Sequence, residues 1–142
     1  AQTLFSTLVG LDPRFESAYV FGALVLAEDV GRFDEARALL QSGIDANPES
    51  WRLKFELGFL CYLHGPSKSE AAVLLRRAAE TQGAPESVAR LAAFAATRSG
   101  DRELAVALWS EVMRSTENLE IQRIAAQYLQ ELGVEAVPPE ER

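Results

Sequence analysis

Apolar residues recur at intervals of three and four along almost the whole chain, and almost no stretch alternates at period two. That spacing lines one face of a helix, because residues three and four apart lie one above the other. The pattern predicts eight helices, over 2–10, 14–29, 32–46, 49–63, 68–81, 86–99, 101–115 and 118–132. The loops between them are short, so consecutive helices are expected to pack antiparallel. Stop and start chemistry falls at the breaks. Asp12-Pro13 and Asn47-Pro48 read as an N-cap followed by proline at the first helical position, and Pro85 is expected to do the same. Gly31, Gly65 and Gly100 follow helices, where a left-handed residue is easiest in glycine.

Those glycines are 34 and 35 residues apart, and other positions keep the same step. Ala36, Ala71 and Ala105 stand 35 and 34 apart. Phe21-Gly22, Leu57-Gly58 and Ala92-Ala93 stand 36 and 35 apart. Pro13 and Pro48 are 35 apart, with Pro85 37 further on. One helix pair is therefore written three times, over 14–46, 49–81 and 86–115. The small residues have a physical task, since two helix axes approach to about 8 Å only where side chains are small. Gly58 is expected to stand opposite Ala71 or Ala78, and leucine there would wedge the pair apart.

A repeat of about 34 residues with two helices per unit resembles the tetratricopeptide family. The resemblance runs over roughly residues 1–116. It is carried by Leu57, Gly58, Gly65, Ala71 and Ala78 in the middle unit, Gly22, Gly31, Ala36 and Pro48 in the first, and Ala93, Gly100 and Ala105 in the third. The family's first-helix tryptophan is replaced by Ala18, Lys54 and Ala89. The implied fold is all-α, a right-handed α-solenoid of antiparallel helix pairs, about three repeats plus a C-terminal capping helix. One domain over 1–132 is expected. Residues 1–12, "AQTLFSTLVGLD", read as the second helix of a repeat whose first helix lies upstream. Repeats follow at 13–48, 49–84 and 85–116, then the cap at 117–132 and a disordered tail at 133–142.

Composition narrows the function classes. The chain of 142 residues is 48 % hydrophobic and carries a net charge of −7, which argues against a nucleic-acid partner, whose phosphates need clustered Lys and Arg. No apolar run approaches the ~20 residues of a membrane span. Cys61 and His64, the only cysteine and the only histidine, lie one helical turn apart. A nucleophilic cysteine wants a base and a third residue to orient it, and structural zinc wants four ligands. Nothing completes either set, so Cys61 is expected in the core and His64 at a helix end. No catalytic residue, metal or cofactor is predicted, and no Gly-rich phosphate loop is present.

On a helical wheel, 51–64 has two apolar sectors, one through Leu53, Leu57, Leu60 and Cys61, the other through Trp51, Phe55, Gly58, Phe59 and Tyr62. A helix with two such sides is sandwiched, or it offers one side to a partner. The tetratricopeptide resemblance implies that first helices line a concave groove. Its groove positions fall on Tyr19 and Leu26, on Arg52, Phe55, Phe59 and Tyr62, and on Arg90, Phe94 and Thr97. The competing expectation is that some of these aromatics are core between repeats. The implied function is a non-enzymatic scaffold or adaptor holding an apolar peptide or helix of a partner protein. The alternative is a self-assembly module pairing copies through Leu4, Phe5 and Leu8. The stretches "LDPRFESAYVFGALVL" and "NPESWRLKFELGFL" also resemble bacterial repeat proteins with an upstream membrane anchor. That resemblance implies a site beside a membrane, in the periplasm; otherwise a bacterial cytoplasmic location is expected.

Overall fold

The computed structural model describes residues 16–28 and 31–136, and these form seven helices and no strand. They are α1 (Glu16–Ala27), α2 (Phe33–Ala46), α3 (Trp51–His64), α4 (Lys68–Ala79), α5 (Glu86–Ser99), α6 (Arg102–Ser115) and α7 (Leu119–Glu131). Helices α2 to α7 begin and end within two residues of the predicted bounds. The helix expected over 2–10, the Asp12-Pro13 cap, the Leu4, Phe5 and Leu8 face and residues 137–142 lie outside the described residues. Each helix packs on its sequence neighbours, and α1 also packs on α3. The result is an all-α solenoid of helix pairs, α1/α2, α3/α4 and α5/α6, closed by α7.

Three terminal assignments differ from the sequence expectation. Asn47 closes α2 instead of opening α3: its backbone N–H donates to the Gly43 carbonyl at 2.9 Å and its side-chain Nδ2 to the same oxygen at 3.0 Å. The N-cap of α3 is Ser50, whose Oγ accepts from the Leu53 N–H at 3.2 Å. Pro85 stands at the N-cap of α5, one residue earlier than expected, with extended backbone. Gly31 and Gly100 have the positive φ expected of them, but Gly65 is extended at φ −79°. Glycine is needed at 65 for space, because a Cβ there would meet the Cys61 carbonyl oxygen at 2.6 Å.

The interior is two adjoining clusters. One runs from Tyr19, Ala23 and Leu26 through Leu40, Leu53 and Leu57 to Ala71. The other runs from Ala72 and Leu75 through Ala92, Ala96 and Trp109 to Leu129. Helix α4 serves both, and the Tyr62 ring packs on each. Gly58 does set the α3/α4 approach, but against Leu75 rather than Ala71 or Ala78. A Cβ on Gly58 would lie 2.8 Å from Leu75 Cγ and 3.0 Å from its backbone nitrogen. Successive second helices are tied by ion pairs, Arg37–Glu70 between α2 and α4 and Arg76–Glu111 between α4 and α6. Half-exposed pairs of this kind contribute at most ~1 kcal/mol each, so they set register more than stability.

The chain does not loosen at 133 as expected. Gly133 has φ +87°, its N–H donates to the Gln130 carbonyl at 3.0 Å, and the Val134 N–H reaches back to Leu129 at 2.8 Å. That is a Schellman closure, with its usual apolar contact: Val134 and Ala136 pack against the second cluster. No apolar periodicity announces it, because one turn of backbone geometry does the work.

Candidate functional site

The first helices of the three pairs superimpose in burial at a step of 35 residues. Ala18, Leu53 and Val88 are buried, as are Gly22, Leu57 and Ala92, then Ala23, Gly58 and Ala93, then Leu26, Cys61 and Ala96. The pairing of Gly22 with Gly58 is therefore one residue out in α1, where Ala23 takes the small position. A shift of one residue turns a helix by about 100°. The positions equivalent to Phe55, Phe59 and Tyr62 move accordingly from Tyr19, Ala23 and Leu26 to Val20, Leu24 and Ala27.

This corrects two of the nine proposed groove residues. Tyr19 and Leu26 are core, 2 % and 4 % exposed. The Tyr19 ring lies over Gly43 of α2, so close that a Cβ on that glycine would sit 2.7 Å from Cγ. Leu24 instead is 56 % exposed. In the third pair, Phe94 and Thr97 are drawn inward by the helices that follow. The Phe94 ring meets Trp109 edge-on at 5.0 Å and Tyr128 at 5.3 Å, while Trp109 and Tyr128 stack at 4.4 Å. Thr97 Oγ1 accepts from the Trp109 indole Nε1 at 2.8 Å. The competing expectation of aromatic core therefore describes this end of the stack.

Helix α3 keeps more of its face. Phe55 and Phe59 stack at 5.8 Å, and Trp51 meets Phe55 edge-on at 6.4 Å, giving an aromatic stripe one residue wide along successive turns. Phe55 also packs on the second cluster. Tyr62 is half-buried beneath Lys68, whose Nζ stands 4.4 Å from the ring centroid and donates to the Tyr62 carbonyl at 2.8 Å. Arg52 is exposed and Arg90 half-buried, and neither makes an ion pair among the described residues.

Phe59 opens into a crease between α1 and α3. Val20, Ala23, Leu24 and Ala27 form one wall, Glu56, Phe59, Leu60, Leu63 and His64 the other, and Leu40 lies at its floor. Both walls are stripes at helical spacing, and Leu24 and Leu63 are 56 % and 55 % exposed. The crease holds about 60 Å³ of open space, well short of the ~300 Å³ or more of a small-molecule pocket. It fits a ridge of side chains instead. Sequence reasoning missed Leu24, Leu63 and Glu56; a step of 35 applied to Phe59 marks Leu24. A larger cleft of about 370 Å³ lies between α4, α5 and α6, but Arg76 spans it in ion pairs with Glu80 and Glu111.

Cys61 is buried, 1 % exposed, and faces Arg37, whose Nη1 lies 3.7 Å from Sγ. Burial pushes the thiol pKa up, the nearby Arg37 opposing and Glu70 adding to it. A thiol held protonated is a poor nucleophile, and His64 lies exposed in the last turn of α3. Among the described residues no group of three His, Cys, Asp or Glu could hold a metal. No helix among them is long and apolar enough to cross a membrane.

This arrangement of stacked helix pairs is the tetratricopeptide repeat fold. The crystal structure of a thermophilic tetratricopeptide repeat protein of Thermus thermophilus matches it with a TM-score of 0.61. The match covers 89 % of this chain and 70 % of that one, at 20 % sequence identity. No family model matches the sequence, and no curated protein does.

Proposed function

We propose that this domain is a non-catalytic interaction module that holds an apolar peptide or helix of a partner protein against its first helices. The observation that carries this is the α1/α3 crease, where Leu24 and Leu63 stay more than half exposed beside Phe59. Apolar side chains gathered in a line mark a contact surface more readily than the same residues scattered singly. The walls are ridges at three- and four-residue spacing, the geometry that receives an amphipathic helix. Phe59 supplies large contact area with few rotatable bonds, and Arg52 and Arg90, which form no ion pair among the described residues, offer forked donors to the partner backbone. Relative to the groove first expected, the proposed surface keeps Arg52, Phe55, Phe59, Tyr62 and Arg90, gains Leu24 and Leu63, and loses Tyr19, Leu26, Phe94 and Thr97.

The test is affinity capture with the full-length protein from its native cell, run beside Leu63→Asp. The variant is expected to lose the partner by about 30-fold, the ~2 kcal/mol of a hot-spot residue. Its thermal stability should change by no more than ~0.5 kcal/mol, as for an exposed site. Equal capture by both proteins would remove the crease as the docking surface.

A further inference from the structure

The α1/α3 crease is apolar except at two places, and one of them is chemically incomplete. Glu56 stands on the same stripe of α3 as Phe59, Leu60 and Leu63, and its carboxylate is half-buried. No hydrogen bond or ion pair to it is formed among the described residues. Arg52, one turn earlier, acts on it only through space. The opposite wall, Val20, Ala23, Leu24 and Ala27, holds no charged or polar side chain. The second polar residue, His64, is exposed at the far end of the stripe. A carboxylate drawn out of water without a partner is costly, and the cost is recovered if a cation arrives with the ligand. Burial raises its pKa above the ordinary 4.5, with Arg52 opposing the rise.

Resting on the interaction role proposed above, we infer that the crease selects an amphipathic segment in which a lysine or arginine sits among the apolar side chains and pairs with Glu56. Apolar contact with Leu24, Phe59 and Leu63 supplies the affinity. Glu56 supplies the selection, since an acidic segment would bring a second carboxylate to a half-dry site. The net charge of −7 favours encounter with a cationic segment in the same sense.

The experiment selects random displayed peptides, roughly four helical turns long, on the full chain, with Leu63→Asp as counter-selection. Enriched peptides are expected to combine apolar residues at helical spacing with a Lys or Arg. Replacing that cation by Gln should weaken binding about tenfold, as for a charge-assisted hydrogen bond. Glu56→Gln should weaken the cationic peptide equally and add nothing once the peptide is neutral, and Glu56→Lys should bind the Lys-to-Glu peptide better than the original. The peptide substitutions leave the protein unaltered, so the result does not hang on a variant that folds badly. Enriched peptides that lack a cation, or whose cation can be replaced without loss, overturn the selection by Glu56 while leaving the crease as a docking surface. If no peptide is enriched over Leu63→Asp, both the selection and the docking surface fall.

Discussion

The indole nitrogen of Trp109, wholly buried, donates to Thr97 Oγ1, and that hydroxyl donates in turn to the Ala93 carbonyl at 2.9 Å. A polar side chain on a nominal groove position thus serves the core. Glu56 is the opposite case, a half-buried polar group on the groove side with no hydrogen-bond or ion-pair partner among the described residues. Its folded-state pKa is raised, first by desolvation, with Arg52 opposing. A raised carboxyl pKa means that folding favours the protonated form. That contribution is complete below the unfolded value and is lost as pH rises through the folded one. Gln in place of Glu56 keeps the site neutral throughout. Thermal melts followed by circular dichroism should therefore show Glu56→Gln more stable than the parent at neutral pH. The gap should close as pH falls below 4.5, the ordinary carboxyl value. A gap independent of pH would mean that the carboxylate is not desolvated.

At the scale of the helix, register decides which face is which. The sequence makes the elements legible because stripes at three and four persist through every helix and the glycine punctuation recurs. Register in α1 is harder to read, because Gly22 and Ala23 are adjacent and both small, so either can be matched to Gly58. Burial resolves the choice: Phe21 and Leu24 are exposed where a step of 36 would demand the buried Leu57 and Leu60. The ring cluster of Phe94, Trp109 and Tyr128 was illegible for another reason. Its members come from three different helices, and only the way α6 and α7 fold back brings them together. Local chemistry misled in one more place, where Asn47-Pro48 carries the residues of a helix start but Asn47 bonds backward to Gly43. The α1 register can be measured directly. Tyr19→Ala should cost about 3–5 kcal/mol in denaturant unfolding, as for a fully buried aromatic. Leu24→Ala should cost under ~1 kcal/mol because more than half of that side chain already faces water. The reverse order would restore the register in which Tyr19 faces the groove.

Across the whole molecule, stability is expected to be held between neighbours, as in any stack of repeats. The two clusters meet at α4, and no residue of α7 belongs to the first. Helix α7 instead seals the far end. Ala125, Ala126 and Leu129 are buried, Tyr128 covers Trp109, and Arg102 Nε donates to the Leu132 carbonyl at 2.8 Å. Its outer side carries exposed Glu120, Arg123, Gln127 and Gln130, which is how an end repeat presents water with a polar surface. Ending the chain after Thr116 would strip that cover from Trp109 and Phe94 together. The loss should exceed the ~3–5 kcal/mol of truncating one buried aromatic, enough to open α5 and α6. The first cluster, anchored by Tyr19, Leu40, Leu53 and Leu57, loses no direct contact with α7. Hydrogen exchange on the shortened chain should show α5 and α6 amides exchanging freely while those of α2 and α3 stay protected. Simultaneous loss of protection in every helix would show instead that the domain unfolds as a single unit, its two clusters coupled through α4 too tightly for either to stand alone.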